Sequence, residues 1–580
     1  MPVQTSRLAS RLMFDLQKNS AVYGMKVVVP SLLRALFRHS RQTKFALFTR
    51  PGREDDLAQL INESPNGAAW ADVTVHSHLS LLTESCRSGL DGWFDPASNY
   101  PLAAYVRQLC RASYPVTALH HTISYQSYLH NVILPTLLAD SRTFDSIVCS
   151  SAAARAALLA LHEQVAEATE SRIGTRLQYR GRLDLIPLGV DTDVFRPRDK
   201  KIVRHELGLP SAACIILYFG RVSLRDKGDL RPLISVFDRL RRSAAHYRPY
   251  LVIAGGLKGN LANALELQIA NTGLADHVRL FPSPHDAQLL YSASDIFVSP
   301  AENLQESFGL TIVEALASGV PQVVADWDGY RDTVRDGETG FLVPTRWAAC
   351  DADLCELAPL LQGDFEYDHG VLAQSVAVDT DALEHFLRVL VENAPLRAAM
   401  SERSRARALN VYAWPTIVAE YESLWTELSA AAARSTEGPV KTTAYVKPRY
   451  ILAFQHYASE LVSDEAVIRL TAGGSELCRR GRNAFPHLED ACGLIDTVLL
   501  TELLRTLEGA GGQGQSIDGL IIGLSCDVPY KPDVVRRHVM WLLKHALITS
   551  TGGSVKELSD RTNTDTFAGG DDYGRTGLNY

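Results

Sequence analysis

Two successive series of short apolar runs, separated by longer amphipathic stretches, leave this chain few folds to choose from. In the first, over residues 21–197, runs such as Lys44-Phe-Ala-Leu-Phe48, Val116-Thr-Ala-Leu-His120 and Ser146-Ile-Val-Cys-Ser150 alternate with helix-like segments such as the Ala-rich stretch 152–168. The second runs from Cys214-Ile-Ile-Leu-Tyr-Phe-Gly220 through Tyr250-Leu-Val-Ile-Ala-Gly255, Val278-Arg-Leu-Phe281, Ile296-Phe-Val-Ser299 and Gln322-Val-Val-Ala325 to a helical region ending near 410. Runs without polar alternation belong to strands buried on both faces, as in a parallel sheet sandwiched between helices. The fold class is therefore α/β: two Rossmann-like domains, 1–197 and 198–410, facing each other across a cleft, with ligands at the carboxyl ends of their strands.

The stretch Glu306-Ser-Phe-Gly-Leu-Thr-Ile-Val-Glu314-Ala-Leu-Ala-Ser-Gly-Val-Pro321 places two carboxylates around an otherwise apolar segment. Gly309 marks a turn, and the residues from Leu310 to Ala317 read as a helix that ends near Gly319 and Pro321. Glu314 thus falls where burial without a hydrogen-bond partner costs several kcal/mol, roughly 2–7 even for an uncharged polar group. A ligand hydroxyl would serve as that partner. Glu306 falls in the loop between strand and helix, where the amides of Gly309 and Leu310 at the helix start favour an anion such as a diphosphate.

These residues resemble the E-x7-E signature of retaining nucleotide-sugar glycosyltransferases of the GT-B fold, the glycosyltransferase group 1 or family 4 type. Asp328-Gly329 and Asp336-Gly-Glu-Thr-Gly-Phe-Leu-Val-Pro344 follow with the family's spacing, and Leu185-Ile-Pro-Leu-Gly-Val-Asp-Thr-Asp-Val-Phe-Arg-Pro197 is similar to its interdomain signature. The resemblance covers about 20–430 and is densest over 183–345. It implies transfer of a sugar from a UDP- or GDP-sugar, in the hexosyltransferase class (EC 2.4), with retention and without a metal or any cofactor beyond that donor.

By the same resemblance, Arg221 after the strand ending at Phe219, and Lys227 in the loop Arg225-Asp-Lys-Gly228, neutralise the leaving diphosphate. Arg suits bidentate contacts and Lys acts as a compact charge. Glu314 accepts from ribose hydroxyls, Glu306 holds a hydroxyl of the transferred sugar, and Gly309 and Leu310 stand near the phosphates. On the first domain, Pro115-Val-Thr-Ala-Leu-His120-His121-Thr122 is a strand ending in two histidines, of which at most one faces the cleft because successive side chains alternate. His121 before Thr122 fits the family's catalytic histidine better than His120, which is kept as a donor-side candidate. The family's first glycine-rich loop corresponds to Tyr23-Gly24-Met-Lys-Val27, where only Gly24 remains and Tyr23 narrows the space. Gly255-Gly256-Leu-Lys-Gly259 lacks the G-x-G-x-x-G order of a dinucleotide fold, and no strand ends in a Gly-x-Ser-x-Gly elbow.

Composition sets outer limits. Hydrophobic residues at 46% and charged residues at 21% are those of a globular protein, and 58 basic against 66 acidic side chains give a net charge of -8 and no general reason to expect nucleic acid. No apolar run reaches the ~18–20 residues needed to span a bilayer, and the N-terminus lacks the hydrophobic stretch of a secretion signal. The nine cysteines are scattered without metal-ligand spacing and read as reduced thiols of a cytoplasmic protein.

Beyond the second domain, 411–429 reads as a helix returning to the first domain, 430–451 as a linker, 452–550 as a helical module and 551–580 as a disordered tail. The insertion 346–380 is acidic and aperiodic and departs from the family pattern. In the module, an amphipathic stretch from Leu494 to Leu507, a short helix from Ile517 to Leu524 and a third from Pro532 to Ile548 follow the order of a winged helix-turn-helix, with Arg536, Arg537 and His538 on the third. DNA binding would require that helix to enter a major groove. Acidic neighbours favour protein docking or dimerisation instead. The competing reading of the whole chain is a non-catalytic nucleotide-sugar or carbohydrate sensor whose module binds DNA or protein. The acceptor, whether peptide, small molecule or glycan, is not encoded in any motif.

Overall fold

The computed structural model describes residues 6–12, 24–40, 43–50, 53–62, 73–87, 89–121, 123–224, 227–256, 259–282, 286–357, 367–438, 445, 449–480, 495–524, 530–552 and 554–555. Tyr23, Thr122 and most of the tail expected to be disordered, from 556 on, lie outside those residues. The chain divides into two compact units, 1–445 and 446–580.

The first unit contains two wholly parallel sheets. Strands β1 (Ser6–Leu12), β2 (Thr43–Thr49), β3 (Val73–Ser77), β4 (Gly92–Asp95), β5 (Val116–Leu119), β6 (Ser146–Cys149) and β7 (Arg182–Leu185) are ordered β3-β2-β1-β4-β5-β6-β7. Strands β8 (Cys214–Phe219), β9 (Pro249–Gly255), β10 (Val278–Pro282), β11 (Ile296–Ser299), β12 (Gln322–Ala325) and β13 (Gly340–Val343) are ordered β10-β9-β8-β11-β12-β13. In both, the order reverses beside the first strand of the domain, between β1 and β4 and between β8 and β11. Crevices form at such reversals, outside the carboxyl ends of the strands. Two Rossmann-like lobes of this kind in one unit make the GT-B architecture.

Each sheet buries both faces. Ile216, Ile253 and Val298 point into one core of the second lobe, while Leu217, Val252 and Phe297 point into the other, as the period of two requires. Two glycines let β8 and β9 close up at their ends: Gly255 has φ +129°, and a Cβ there would lie 2.0 Å from the Gly220 carbonyl oxygen. The Gly-Gly pair that could be mistaken for a dinucleotide loop therefore has a packing role, with Gly256 passing under the Arg221 side chain.

The lobes are joined twice. Within the interdomain signature, Gly189 lies against the Trp414 ring with no room for a Cβ, and Val190 N–H donates to the Tyr412 carbonyl. Arg405 donates to the carbonyls of Thr192, Phe195 and Ala317. The returning helix is longer than expected, Trp414–Arg434, and packs Trp414, Ile417, Tyr421 and Trp425 into the first-lobe core, with Trp425 Nε1–H donating 3.0 Å to Thr117. Ala430 to Ala433, assigned to a linker by sequence, continue this helix because alanine has the highest helix propensity of any residue. Past its end, Glu437 is held against the first lobe by Thr143 and Arg180.

Cys86 and Cys110 form a disulfide, with Cα atoms 5.0 Å apart, so the reading of all cysteines as reduced thiols does not hold for this pair. Among the free thiols of the described residues, Cys149 and Cys214 are buried and Cys350 and Cys355 exposed. No helix among the described residues is long and apolar enough to cross a membrane.

In the second unit, helices Thr497–Ala510, Ile517–Leu524 and Pro532–Lys544 enclose a leucine-rich core with a small three-stranded antiparallel sheet. The third helix stops at Lys544, short of the expected Ile548, which begins a strand. Of the three basic residues singled out on it, Arg536 and His538 are engaged internally, whereas Arg537 is exposed. Arg536 grips Asp464 with two nitrogens at 2.9 and 2.7 Å, and His538 is 3% exposed, its Nε2 accepting from the Asp496 amide at 2.8 Å.

Candidate functional site

The loops after β8 and β11, on either side of the reversal in the second sheet, bring together the charged residues singled out in the sequence. Lys227 Nζ lies 2.7 Å from Glu306 Oε2, with side chains 29% and 14% exposed. Arg221 directly follows β8 and its carbonyl accepts from the Tyr218 hydroxyl at 3.0 Å. Asn303, 1% exposed, ties the two loops together: its Nδ2 donates to the Lys227 carbonyl at 2.6 Å, while its Oδ1 accepts from the amides of Gln305 and Glu306 at 2.9 and 3.0 Å. Trp327 Nε1–H caps the Asn303 carbonyl at 2.7 Å.

Gly309 is the N-cap of the helix Leu310–Ala317 and has φ +92°, a left-handed value that glycine adopts without penalty. Tyr330 fills the space where a side chain would be: a Cβ on Gly309 would lie 2.5 Å from its ring. The helix then projects Glu314 from its partly exposed side, next to Tyr291. The Tyr291 hydroxyl donates to Glu314 Oε2 at 2.8 Å, so a protein hydroxyl rather than a ligand alone satisfies one oxygen of the carboxylate. Burial nevertheless raises the Glu314 pKa to about 7.

Three acidic or amide groups here carry features that sequence spacing does not show, although Asp328 itself lies in the family pattern. Glu302 is 6% exposed, accepts from the Asp229 amide at 2.7 Å, and is pushed by burial to a pKa of about 8. Asp328 sits at φ +37°, and burial together with the Glu306 charge raises its pKa well above the carboxylate range, against the opposing pull of the Gly329 and Tyr330 amides. Gly329 lies against Ser307 and Phe308 with no room for a Cβ, which fixes the Asp328 turn beside the Glu306 loop. Asn303 is the third. A residue with strained backbone, or a buried one answered across many residues, leaves no periodic trace; the only signal was the position of Glu302 and Asn303 directly after a buried strand.

On the first lobe the two histidines differ. His120 is 2% exposed, accepts from the Ser150 amide at 3.2 Å, and is held neutral by burial, its pKa lowered to about 3. His121 is partly exposed, its amide donates to Ser98 Oγ at 2.7 Å, and its Nε2 lies 2.8 Å from the Pro96 carbonyl; burial lowers its pKa to about 4. Of the pair, His121 is the more exposed. Gly24 begins the helix Gly24–His39.

The lobes touch beside Glu306. Ser151 caps the helix Ala152–Ile173 by accepting from the Ala154 amide at 3.0 Å, and its hydroxyl donates 2.7 Å to the Ser307 carbonyl across the cleft. Asp332 of the second lobe accepts from the Ala152 amide at 2.5 Å.

That arrangement, cation and carboxylate flanking a glycine-opened helix at a sheet reversal, lies in the part of the chain that is similar to a known family. Residues 199–356 match the family Glycosyl transferases group 1. The matched domain carries Arg221, Lys227, Glu306, Gly309, Leu310 and Glu314. D-inositol 3-phosphate glycosyltransferase of Thermobispora bispora is 34% identical over 227 residues, 36% of this chain and 53% of that protein. The protein of the same name from Segniliparus rotundus is 27% identical over 307 residues, 51% of this chain and 61% of that protein. The chain thus spans little more than half the length of these curated relatives. Among solved structures, Anabaena HepE in complex with UDP and glucose aligns at 16% identity and TM-score 0.49, over 73% of this chain and 100% of that one. Sucrose-phosphate synthase from Thermosynechococcus elongatus aligns at 18% identity and TM-score 0.48 over the same 73% and 100%. The fold assignment rests on the strand orders rather than on these two likenesses.

Proposed function

We propose that the protein is a retaining, metal-independent glycosyltransferase that moves a sugar from a UDP- or GDP-linked donor to an acceptor bound mainly by the first lobe. The observation that carries this reading is the Lys227–Glu306 pair at 2.7 Å, set at the sheet reversal beside the helix start at Gly309. In this pair each charge balances the other. With donor bound, Lys227 and Arg221 turn to the diphosphate, the amides of Gly309 and Leu310 and the helix dipole add to the positive field, and Glu306 takes a sugar hydroxyl. Glu314, already fixed by Tyr291 through one oxygen, offers the other to the ribose.

Bond breaking between the sugar and the diphosphate leaves positive charge on the sugar ring and negative charge on the phosphate. Preorganised cations and amide donors at the departing oxygen are the largest protein contribution to such a step. The same phosphate oxygen takes the acceptor's proton on the face the donor leaves, which gives retention without a protein nucleophile. His121, neutral at physiological pH, would hold the sugar by a hydrogen bond rather than by charge.

The curated relatives are named for D-inositol 3-phosphate, which makes a phosphorylated cyclitol one acceptor to test. The unit 446–580 is read as a protein-docking or dimerisation module of winged-helix type, a reading supported by the internal engagement of Arg536 and His538. Calorimetric titration with UDP and GDP, for the parent chain and an Arg221→Ala, Lys227→Ala double variant, tests the donor site. Affinity unchanged by the double substitution would remove it.

A further inference from the structure

The segment between β13 and the helix Thr380–Glu392, which the sequence leaves without a role, makes specific contacts in both lobes. Its helix Tyr367–Ser375 carries His369, a side chain only 1% exposed. The His369 ring stacks on Tyr125 of the first lobe, with centroids 4.4 Å apart and planes 27° from parallel. His369 Nε2 lies 3.0 Å from the carbonyl oxygen of Ser124, which can only accept, so Nε2 carries the proton and donates. Ser124 and Tyr125 follow His121 closely in the chain.

The far end of the same helix faces the donor loops. Ser375 Oγ accepts from Trp347 Nε1–H at 2.9 Å, and Trp347 packs edge-on against Trp327, with centroids 5.8 Å apart. Trp327 in turn caps Asn303, which fixes the Glu306 amide. Contacts therefore run without a break from the chain leaving His121, through His369 and two tryptophans, to Glu306. His369 Nδ1 is buried without a partner, so the ring's side-chain hydrogen bond is spent on the opposite lobe. A buried polar ring with half its capacity unused would serve an ordinary core position poorly.

We propose that His369 is a positioning residue: the helix Tyr367–Ser375, with Trp347 bound at its end, is a strut between the lobes that sets the chain leaving His121 at a fixed distance from the Lys227–Glu306 pair. Its importance for transfer rests on the donor-site reading above, whereas the strut itself rests on geometry alone.

Hydrogen–deuterium exchange of the full chain, run beside UDP titration, distinguishes the two. In His369→Ala, amides over 123–133 should exchange roughly tenfold faster, as expected for loss of one buried hydrogen bond and its packing. Exchange over 306–317 and the UDP dissociation constant should stay within about twofold, because the first-lobe contacts of 306–317 run through Ser151 and the returning helix rather than through His369. His369→Gln, which keeps an N–H donor, should restore most of the protection. Unchanged exchange over 123–133 overturns the proposal, as does acceleration spread evenly through both lobes with failure of the Gln variant to rescue. Should His369→Ala not fold, Trp347→Ala, at a residue 47% exposed, carries the test. It removes the far support of the strut, and protection over 123–133 unaffected by it counts against the proposal. Absence of UDP and GDP binding in the parent chain would defeat the donor-site reading while leaving the exchange result to judge the strut.

Discussion

Lys227 and Glu306, which lie 79 residues apart in the chain, meet at 2.7 Å across the two loops that flank the reversal of the second sheet. Neither charge is deeply buried, so the pair adds little stability by itself. Its value lies in holding an ammonium where a diphosphate would arrive. Lys227→Ala should therefore leave unfolding within about 1 kcal/mol of the parent, yet reduce kcat/KM for the donor by roughly 100- to 1000-fold. Denaturant unfolding and steady-state kinetics on one preparation check both halves. A variant that is strongly destabilised but retains activity would show the pair to be structural.

The raised carboxyl groups predict a pH dependence. Glu302, at about 8, and Glu314, at about 7, hold protons in the folded chain that the unfolded chain releases near 4.5. Their contribution to stability is thus complete below pH ~4.5 and is lost as pH rises through 7–8, because the unfolded state then binds fewer protons than the folded one. His120 and His121 act in the opposite sense below their ordinary range, since their lowered values cost stability as pH falls from 6.5 towards about 4. Comparing Glu302→Gln with the parent isolates the carboxyl. Thermal unfolding between pH 5.5 and 8.5, as an order-of-magnitude window set by these values, should decline less steeply in the variant, and parallel curves would contradict the assignment.

How far the sequence carries depends on whether a residue's partner is periodic or remote. Strands such as β8, β11 and β12 are apolar on both faces and stand out, as does the helix Leu310–Ala317 between Gly309 and Gly319. Arg221, Lys227, Glu306 and Glu314 are legible because each lies in a short loop or helix whose local spacing resembles that of the family. Tyr291, which answers Glu314 from a different helix, was not, nor was Asn303, whose role is to tie Lys227 to Glu306 across a sheet. The Ala-rich end of the returning helix reads as a linker because Gly438-Pro439 follows it closely, yet alanine's propensity carries the helix to Arg434. His369 carries no local signal at all, since its partners belong to the other lobe.

The first lobe should owe much of its integrity to one buried ion pair. Arg107 and Asp145 are 1% and 0% exposed at the side chain and meet at 2.6 and 2.9 Å, with Tyr100 and the amides of Val116 and Arg142 also donating to Asp145. Removing one partner leaves the other charge stranded, so Asp145→Asn should cost about 3–5 kcal/mol. The UDP dissociation constant, set in the other lobe, should be unchanged in whatever fraction remains folded. Denaturant unfolding followed by titration at low denaturant measures both quantities.

Gly309 offers the sharpest test of the helix start, because two costs coincide there. Its φ of +92° is one that alanine adopts only with strain, about 1–2 kcal/mol. A Cβ would also lie 2.5 Å from the Tyr330 ring and 2.9 Å from Ile312, and Tyr330 cannot retreat easily, being 2% exposed with its hydroxyl 3.0 Å from Ser299. Overpacking of that kind adds about 1–3 kcal/mol. Gly309→Ala should therefore lose about 2–5 kcal/mol in all, and should weaken UDP binding by displacing the amides that begin the helix. Gly337→Ala supplies the control: φ there is +71°, but nothing lies within 4 Å of the added Cβ. Only the backbone cost remains, and UDP affinity should not move. If both variants lost stability and affinity alike, the crowding by Tyr330 would not be what shapes the site.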